Sequence, residues 1–278
     1  MAPGHGRDNT SVPPAATLVE ALAPLRSDPA HAGVLLDVDG TLAPIVRHAE
    51  DASVPERTRS LLTDVARRYA FVACVSGRQA SEARRIVSIG SLTYVGNHGA
   101  EVLRGGRTEA EVEGELSHWG RRIASFVAEQ DARELHRQRI RLEDKGPIAA
   151  FHWRGAPDES AAEHMLAGIA ADAEKAGFRA HWGRKVLEIR PPVRFDKGTG
   201  IVRLLRDADL DAAMYAGDDT TDLDAFRGLR ELVEGGRLGQ ALLVGVRSDE
   251  TPSGIEREAD LLVDGTQGVT ALLEALLA

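Results

Sequence analysis

One cysteine, Cys74, occurs in 278 residues, so no disulfide can form within the chain. It sits in the apolar run Phe71-Val72-Ala73-Cys74-Val75 and reads as a small buried hydrophobe, not a reactive thiol. A basic surplus is also absent. The net charge of -9 argues against a nucleic-acid partner, which needs a basic footprint. It still permits a small anionic substrate, because local charge can oppose the global sign. No apolar run approaches the length of a membrane span, so no membrane partner is expected. The stretch Met1 to Pro14 is rich in Gly, Pro and polar residues and lacks the apolar core of a signal peptide. Residues 1–30 are expected to be a disordered lead-in, and the protein to be cytoplasmic and monomeric. No internal repeat or low-complexity tract is apparent.

What remains is an ordinary globular composition, long enough for one large domain or two modest ones. Val34-Leu35-Leu36 is a short apolar run that ends in the turn-forming cluster Asp37 to Gly40, which predicts a buried strand. A helix is predicted after Pro55, with Leu61, Leu62, Val65 and Tyr69 on one face. Phe71 to Val75 and Thr93-Tyr94-Val95 predict further strands. The alternation implies a doubly wound α/β fold, a parallel sheet covered by helices.

The pattern changes near Gly105-Gly106. Val112, Leu116, Trp119, Ile123 and Phe126 are spaced as one face of a long helix. Strands follow at 140–142 and 148–153, joined by the turn Lys145-Gly146-Pro147. A helix at 158–176 and strands at 178–182 and 186–190 complete an αββαββ unit. After Pro191-Pro192 the first rhythm returns, with a helix near Lys197 and strands at 212–216, 241–246 and 261–263. The expected organisation is a core of residues 31–107 and 191–278, with an inserted α+β domain at 108–190.

Four polar clusters lie at predicted strand ends or helix starts: Asp37/Asp39, Ser76, Lys197 and Asp218/Asp219/Asp222. Open parallel sheets bind ligands beyond the carboxyl ends of their strands, so these clusters can converge. Five carboxylates in one place need a cation. Oxygen ligands without His or Cys suit Mg²⁺. Lys197 and Ser76 offer a phosphoryl group a positive charge and a hydroxyl donor. Asp37 can attack phosphorus, and Asp39 can protonate the leaving alkoxide and then activate water. Each cluster alone has an ordinary structural reading, as a turn, a loop or a helix cap. Their conjunction, in order and at the binding ends, favours chemistry.

Asp37-Val38-Asp39-Gly40-Thr41-Leu42 resembles the first motif of haloacid dehalogenase-like phosphatases, and Ser76, Lys197 and Gly217-Asp218-Asp219 resemble motifs two, three and four. From about Gly33 onward the chain resembles trehalose-6-phosphate phosphatases. Val75-Ser76-Gly77-Arg78, Gly96-Asn97-His98-Gly99-Ala100-Glu101 and Gly217-Asp218-Asp219-Thr220-Thr221-Asp222 carry the likeness. So do Glu143-x-Lys145, His152-x-Arg154 and Val186-Leu187-Glu188-Ile189-Arg190-Pro191 in the insert. Leu223 departs from the pattern, where many relatives have an acid.

The resemblance implies a magnesium-dependent phosphatase of a small sugar phosphate, working through an aspartyl-phosphate. Asp37, the carbonyl of Asp39, and Asp218 would bind Mg²⁺, with Asp219 or Asp222 orienting that shell. Ser76, Gly77 and Lys197 would hold the phosphoryl group. Arg78, Asn97, His98, Glu143, Lys145, His152, Arg154 and Glu188 would line the substrate, with Glu143, Lys145 and Glu188 reaching the disaccharide from a cap that closes over it. From the residues alone, another glycosyl or pseudo-sugar phosphate remains open. Retention of both Asp37 and Asp39 disfavours a catalytically silent sensor.

Overall fold

The computed structural model describes residues 15–46, 48–249 and 251–278. The chain divides into two compact units, one formed by residues up to Ala110 and from Phe195 onward, the other by Glu111–Arg194.

The first unit is built on an open sheet. Its strands run, in spatial order, Leu261–Asp264, Gln240–Arg247, Ala212–Gly217, Ala32–Asp37, Phe71–Val75, Thr93–Gly96 and Glu101–Leu103. Neighbours pair in parallel, except that Glu101–Leu103 is antiparallel to Thr93–Gly96. All six residues of Ala32–Asp37 are buried, as a parallel strand covered on both faces requires. Successive side chains serve opposite faces. Val34 and Leu36 enter the core under the helices Glu56–Arg68, Ala80–Val87 and Gly265–Leu277, and Leu35 enters the core under Lys197–Leu205 and Asp222–Glu234.

The expectation of disorder over residues 1–30 fails where the structure describes that segment. Residues 15–31 form the helices Ala15–Ala21 and Ala23–Ser27 and a 3₁₀ turn at Pro29–His31. Leu18, Leu22 and Leu25, spaced four and three apart, are buried against the sheet core. That apolar stripe offsets the cost of ordering the segment. Residues 1–14 lie outside the described residues.

In the second unit, a four-stranded antiparallel sheet runs Arg141–Asp144, Ala149–His152, Val186–Arg190, Arg179–Gly183. The helices Gly114–Ala128 and Glu159–Lys175 supply the core on one face, with Phe151, Leu187 and Ile189 from the sheet. Val112, expected on the long helix, precedes it in the extended pair Glu111–Val112. A short helix at Ala132–Arg137, capped by the Asp131 side chain, has no counterpart in the sequence reading. Among the described residues, no helix is long and apolar enough to cross a membrane.

Candidate active site

The strand order places a topological switch point between Ala32–Asp37 and Ala212–Gly217. From there the sheet grows one way through Phe71–Val75 and the other way through Gln240–Arg247. The crevice beyond the carboxyl ends of two such strands is the usual ligand site of an open α/β sheet. Leu36 pairs with Ala216, so Asp37 and Gly217 end their strands side by side. Asp37 pairs with Val75, which brings Ser76 to the same edge.

Lys197 is the first residue of a helix whose N-cap, Asp196, forms a reciprocal capping box with Thr199. A cation at a helix N-terminus opposes the helix dipole. Its partners hold it there: Lys197 Nζ donates to Asp37 Oδ1 and to Asp222 Oδ1, both at 2.6 Å. Burial alone would lower the Lys197 ammonium's pKa, but Asp222 and Asp37 outweigh burial and push it up.

Asp222 is the hub of the cluster. It is fully buried, and four donors converge on it. Oδ1 also accepts from Tyr215 Oη at 2.6 Å, and Oδ2 accepts from the backbone N–H groups of Asp218 and Asp219, each at 2.9 Å. Asp218 accepts from Thr41 Oγ1 at 3.1 Å. Gly40 has a positive φ of 88°, and a Cβ there would lie 2.2 Å from an Asp218 carboxylate oxygen. Only glycine fits that close approach.

Carboxylate oxygens of Asp37, Asp218 and Asp222 lie within 4.8 Å of one another. Burial raises Asp37 well above the usual carboxylate range; Lys197 opposes this, and Asp222 and Asp218 add to it. Burial and Asp222 push Asp218 up to about 6, against the Thr41 hydrogen bond and Lys197. Three acids against one ammonium leave a buried negative excess of hard oxygen donors. That donor set fits a divalent cation.

Asp39 stands apart from this cluster. Its side chain is 35% exposed, against 6% for Asp37. Arg78, expected at the substrate, is joined to it: Nε donates to Oδ2 and Nη2 to Oδ1, both at 2.8 Å. Ser76 is buried, and its Oγ accepts from the Arg78 N–H at 3.1 Å. The turn after Thr93–Gly96 braces this loop. Asn97 N–H donates to Arg78 O at 2.7 Å and His98 N–H to Ser76 O at 3.1 Å. The His98 ring fills the space over Gly77, where a Cβ would lie 2.6 Å from Cε1. Asp219 is exposed, and its carboxylate accepts from the Thr220 N–H.

In the second unit, Glu143, Ala150, Glu188 and His181 lie in register across the sheet. His152 Nε2 and Glu143 Oε2 are hydrogen-bonded at 2.7 Å, with Arg141 at 3.7 Å from the same oxygen. Burial lowers the His152 pKa, against the pull of Glu143. Lys145 Nζ donates to Glu188 Oε1 at 3.1 Å, and Arg190 Nε to Glu188 Oε2 at 2.8 Å. Burial would raise Glu188, but Arg190 and Lys145 outweigh it and hold its carboxyl below the usual range. Arg154 is not gathered into this group; it stands exposed in the turn after the strand, where its charge acts on Glu159.

Sequence reading missed Tyr215, Glu82 and Arg190. Tyr215 looks like any apolar residue of a buried strand. Glu82 lies four residues after Arg78, within helical reach, and Arg190 shares a strand face with Glu188 at i+2. Those two spacings were readable signals.

A parallel sheet with acids at its switch point and a buried lysine bonded to two of them is the arrangement expected from the resemblance to haloacid dehalogenase-like phosphatases. A sequence model of the trehalose-phosphatase family matches residues 35–254. The chain belongs to that family. Trehalose-phosphate phosphatase B of Arabidopsis thaliana is 30% identical over 221 residues, covering 73% of this chain and 57% of that protein. An uncharacterised glycosyl hydrolase of Mycobacterium tuberculosis is 31% identical over 211 residues, covering 71% of this chain and 15% of that protein. The chain thus spans less than two thirds of either relative. The structure of Aspergillus fumigatus trehalose-6-phosphate phosphatase shares the fold, with a TM-score of 0.60, 22% identity, and coverage of 94% of this chain and 96% of that one.

Proposed function

We propose that this chain is a Mg²⁺-dependent phosphatase that hydrolyses trehalose 6-phosphate to trehalose and phosphate. The observation that carries this reading is the buried convergence of Asp37, Lys197, Asp218 and Asp222 at the switch point. Asp37 attacks phosphorus, the bond from phosphorus to the sugar oxygen breaks, and an aspartyl-phosphate forms. Asp39 gives a proton to the departing alkoxide. It then takes one from the water that attacks the phosphorus, which releases phosphate and restores Asp37. An ammonium has three donors; two of Lys197's go to Asp37 and Asp222, and the third serves a phosphoryl oxygen. The Ser76 hydroxyl accepts from Arg78 and donates to a second phosphoryl oxygen. Mg²⁺ held by Asp37, Asp218 and the Asp39 carbonyl would screen the repulsion between an anionic nucleophile and an anionic ester. Asp222 already accepts from four donors, so its part is to orient its neighbours.

Sugar recognition falls to the polar face of the second unit. Glu143, Lys145, His152 and Glu188 supply acceptors and donors for hydroxyls, and Ala150 leaves room between the two carboxylates.

The test is inorganic phosphate release from a panel of sugar phosphates, with and without Mg²⁺. Turnover of other esters with none of trehalose 6-phosphate would overturn the substrate assignment. Lys145→Ala is expected to raise KM for the sugar ester about tenfold more than KM for an aryl phosphate, the scale of one charged hydrogen bond. Steady-state kinetics on both substrates measure the difference.

Metal binding carries its own pH signature. Asp218 titrates at about 6, above the ordinary 3.8. In the metal-free protein the folded state therefore keeps a proton that the unfolded chain releases. Stability falls as pH rises from the ordinary carboxylate value through 6. Mg²⁺ competes with that proton, so its effect grows over the same interval. At a hundredfold excess over Kd it should add about 2.7 kcal/mol. Thermal melts at pH 5 and 7.5, with Mg²⁺ or chelator, should show a large shift only at the higher pH. Asp218→Asn should remove most of the difference.

A further inference from the structure

We propose that Arg78 is a positioning residue for proton transfer: it holds the Asp39 carboxylate in place and does not bind the sugar. The inference rests on the phosphatase reading above. Asp39 is the more exposed of the two motif acids, and an unheld carboxylate there would sample several rotamers. The Arg78 guanidinium takes both of its oxygens, at 2.8 Å each, in a planar fork that fixes position and orientation together.

The guanidinium is itself braced. Nη1 donates to Glu82 Oε1 at 2.5 Å, one helical turn onward. The Arg78 backbone is tied at both ends, its N–H to Ser76 Oγ and its carbonyl to the Asn97 N–H. The side chain is 17% exposed, less than the Asp39 it holds. Nε, Nη1 and Nη2 all face carboxylates of the protein. A residue whose role was to meet a neutral sugar would not need its charge matched on two sides. A lysine would supply a point charge and lose the fork.

The experiment is a double-mutant cycle on the full chain, using the alkyl sugar phosphate that the parent hydrolyses fastest. Arg78→Ala should lower kcat on the order of 10²-fold, the scale of a misplaced catalytic group, and leave KM within about twofold. In an Asp39→Asn background the same change should cost no more than about threefold, because the group it positions is gone. Arg78→Lys should recover only part of kcat. Glu82→Gln, a milder change in case Arg78→Ala folds poorly, should show the same dependence on Asp39 with a smaller loss. Circular dichroism melts establish that the variants are folded. Equal losses with and without Asp39, or a loss carried by KM, would overturn the proposal and place Arg78 on the substrate. Failure of the parent to hydrolyse any phosphate ester would instead overturn the phosphatase reading, and this inference with it.

Discussion

Asp37→Asn should lower kcat on the order of 10⁴-fold or more and leave the metal-free fold as stable as the parent or more so. The kinetic loss follows from the proposed nucleophile role, since an amide cannot form the acyl phosphate and the remaining groups then have no covalent step to assist. The stability expectation comes from the charges. Burial, together with Asp222 and Asp218, pushes Asp37 far above the ordinary carboxylate range, and Lys197 opposes them only in part. Such a group lowers stability as pH rises above the ordinary carboxylate value, because the folded state must keep or lose a proton at a cost the unfolded chain does not meet. Asparagine removes the charge and keeps an oxygen that can accept from Lys197. The variant's metal-free melting temperature should therefore change less with pH than the parent's. Phosphate release and thermal melts in chelator measure the two halves separately. Parental turnover would mean the nucleophile is misassigned. A fall of several degrees in melting temperature would mean the Asp37 charge supports the fold instead of being held against it for chemistry.

The main lines of this site were readable from residues because parallel strands covered on both faces leave unbroken apolar runs. Val34-Leu35-Leu36 and Phe71 to Val75 are such runs, and the polar residues that follow them mark the binding edge. The αββαββ order of the insert was visible for the same reason: its turns at 145–147 and 176–178 interrupt clear periodicities. The helices at 15–27 were hidden, since three leucines spaced along a short segment carry little signal beside a Gly- and Pro-rich stretch. Pairings between loops were hidden too. Nothing in the spacing of Asp39 and Arg78 shows that a guanidinium closes on that carboxylate, because the fold sets the distance across 39 residues of chain. Asp219 and Asp222 looked alike, two acids at a helix start. The helix begins at Asp222 and turns that carboxylate inward, while Asp219 stays on the exposed loop. Sequence could propose the pair and only burial could rank them.

That ranking sets the second large expectation: Asp222→Ala should destabilise the metal-free protein by about 3–5 kcal/mol, the cost of breaking a buried ion pair by removing one partner. The change withdraws four hydrogen bonds at once. Lys197 keeps a single carboxylate partner, Tyr215 loses the acceptor of its buried hydroxyl, and the N–H groups of Asp218 and Asp219 lose theirs. Burial holds the Tyr215 hydroxyl's pKa well up, helped by the charges of Asp222 and Asp37, so it stays a neutral donor in need of an acceptor. Asp219→Ala removes an exposed acid from the same loop and should change stability by no more than about 0.5 kcal/mol. Urea denaturation of the parent and both variants, in chelator and again in Mg²⁺, separates the possibilities. If Asp222 served only as a ligand, its loss would appear only when the ion is present. A full loss in chelator would make it the residue that ties Lys197 to the carboxyl end of Ala212–Gly217. Asp222→Ala should then lower kcat through a displaced Lys197 even at saturating Mg²⁺, whereas Asp219→Ala should leave Lys197 where it is.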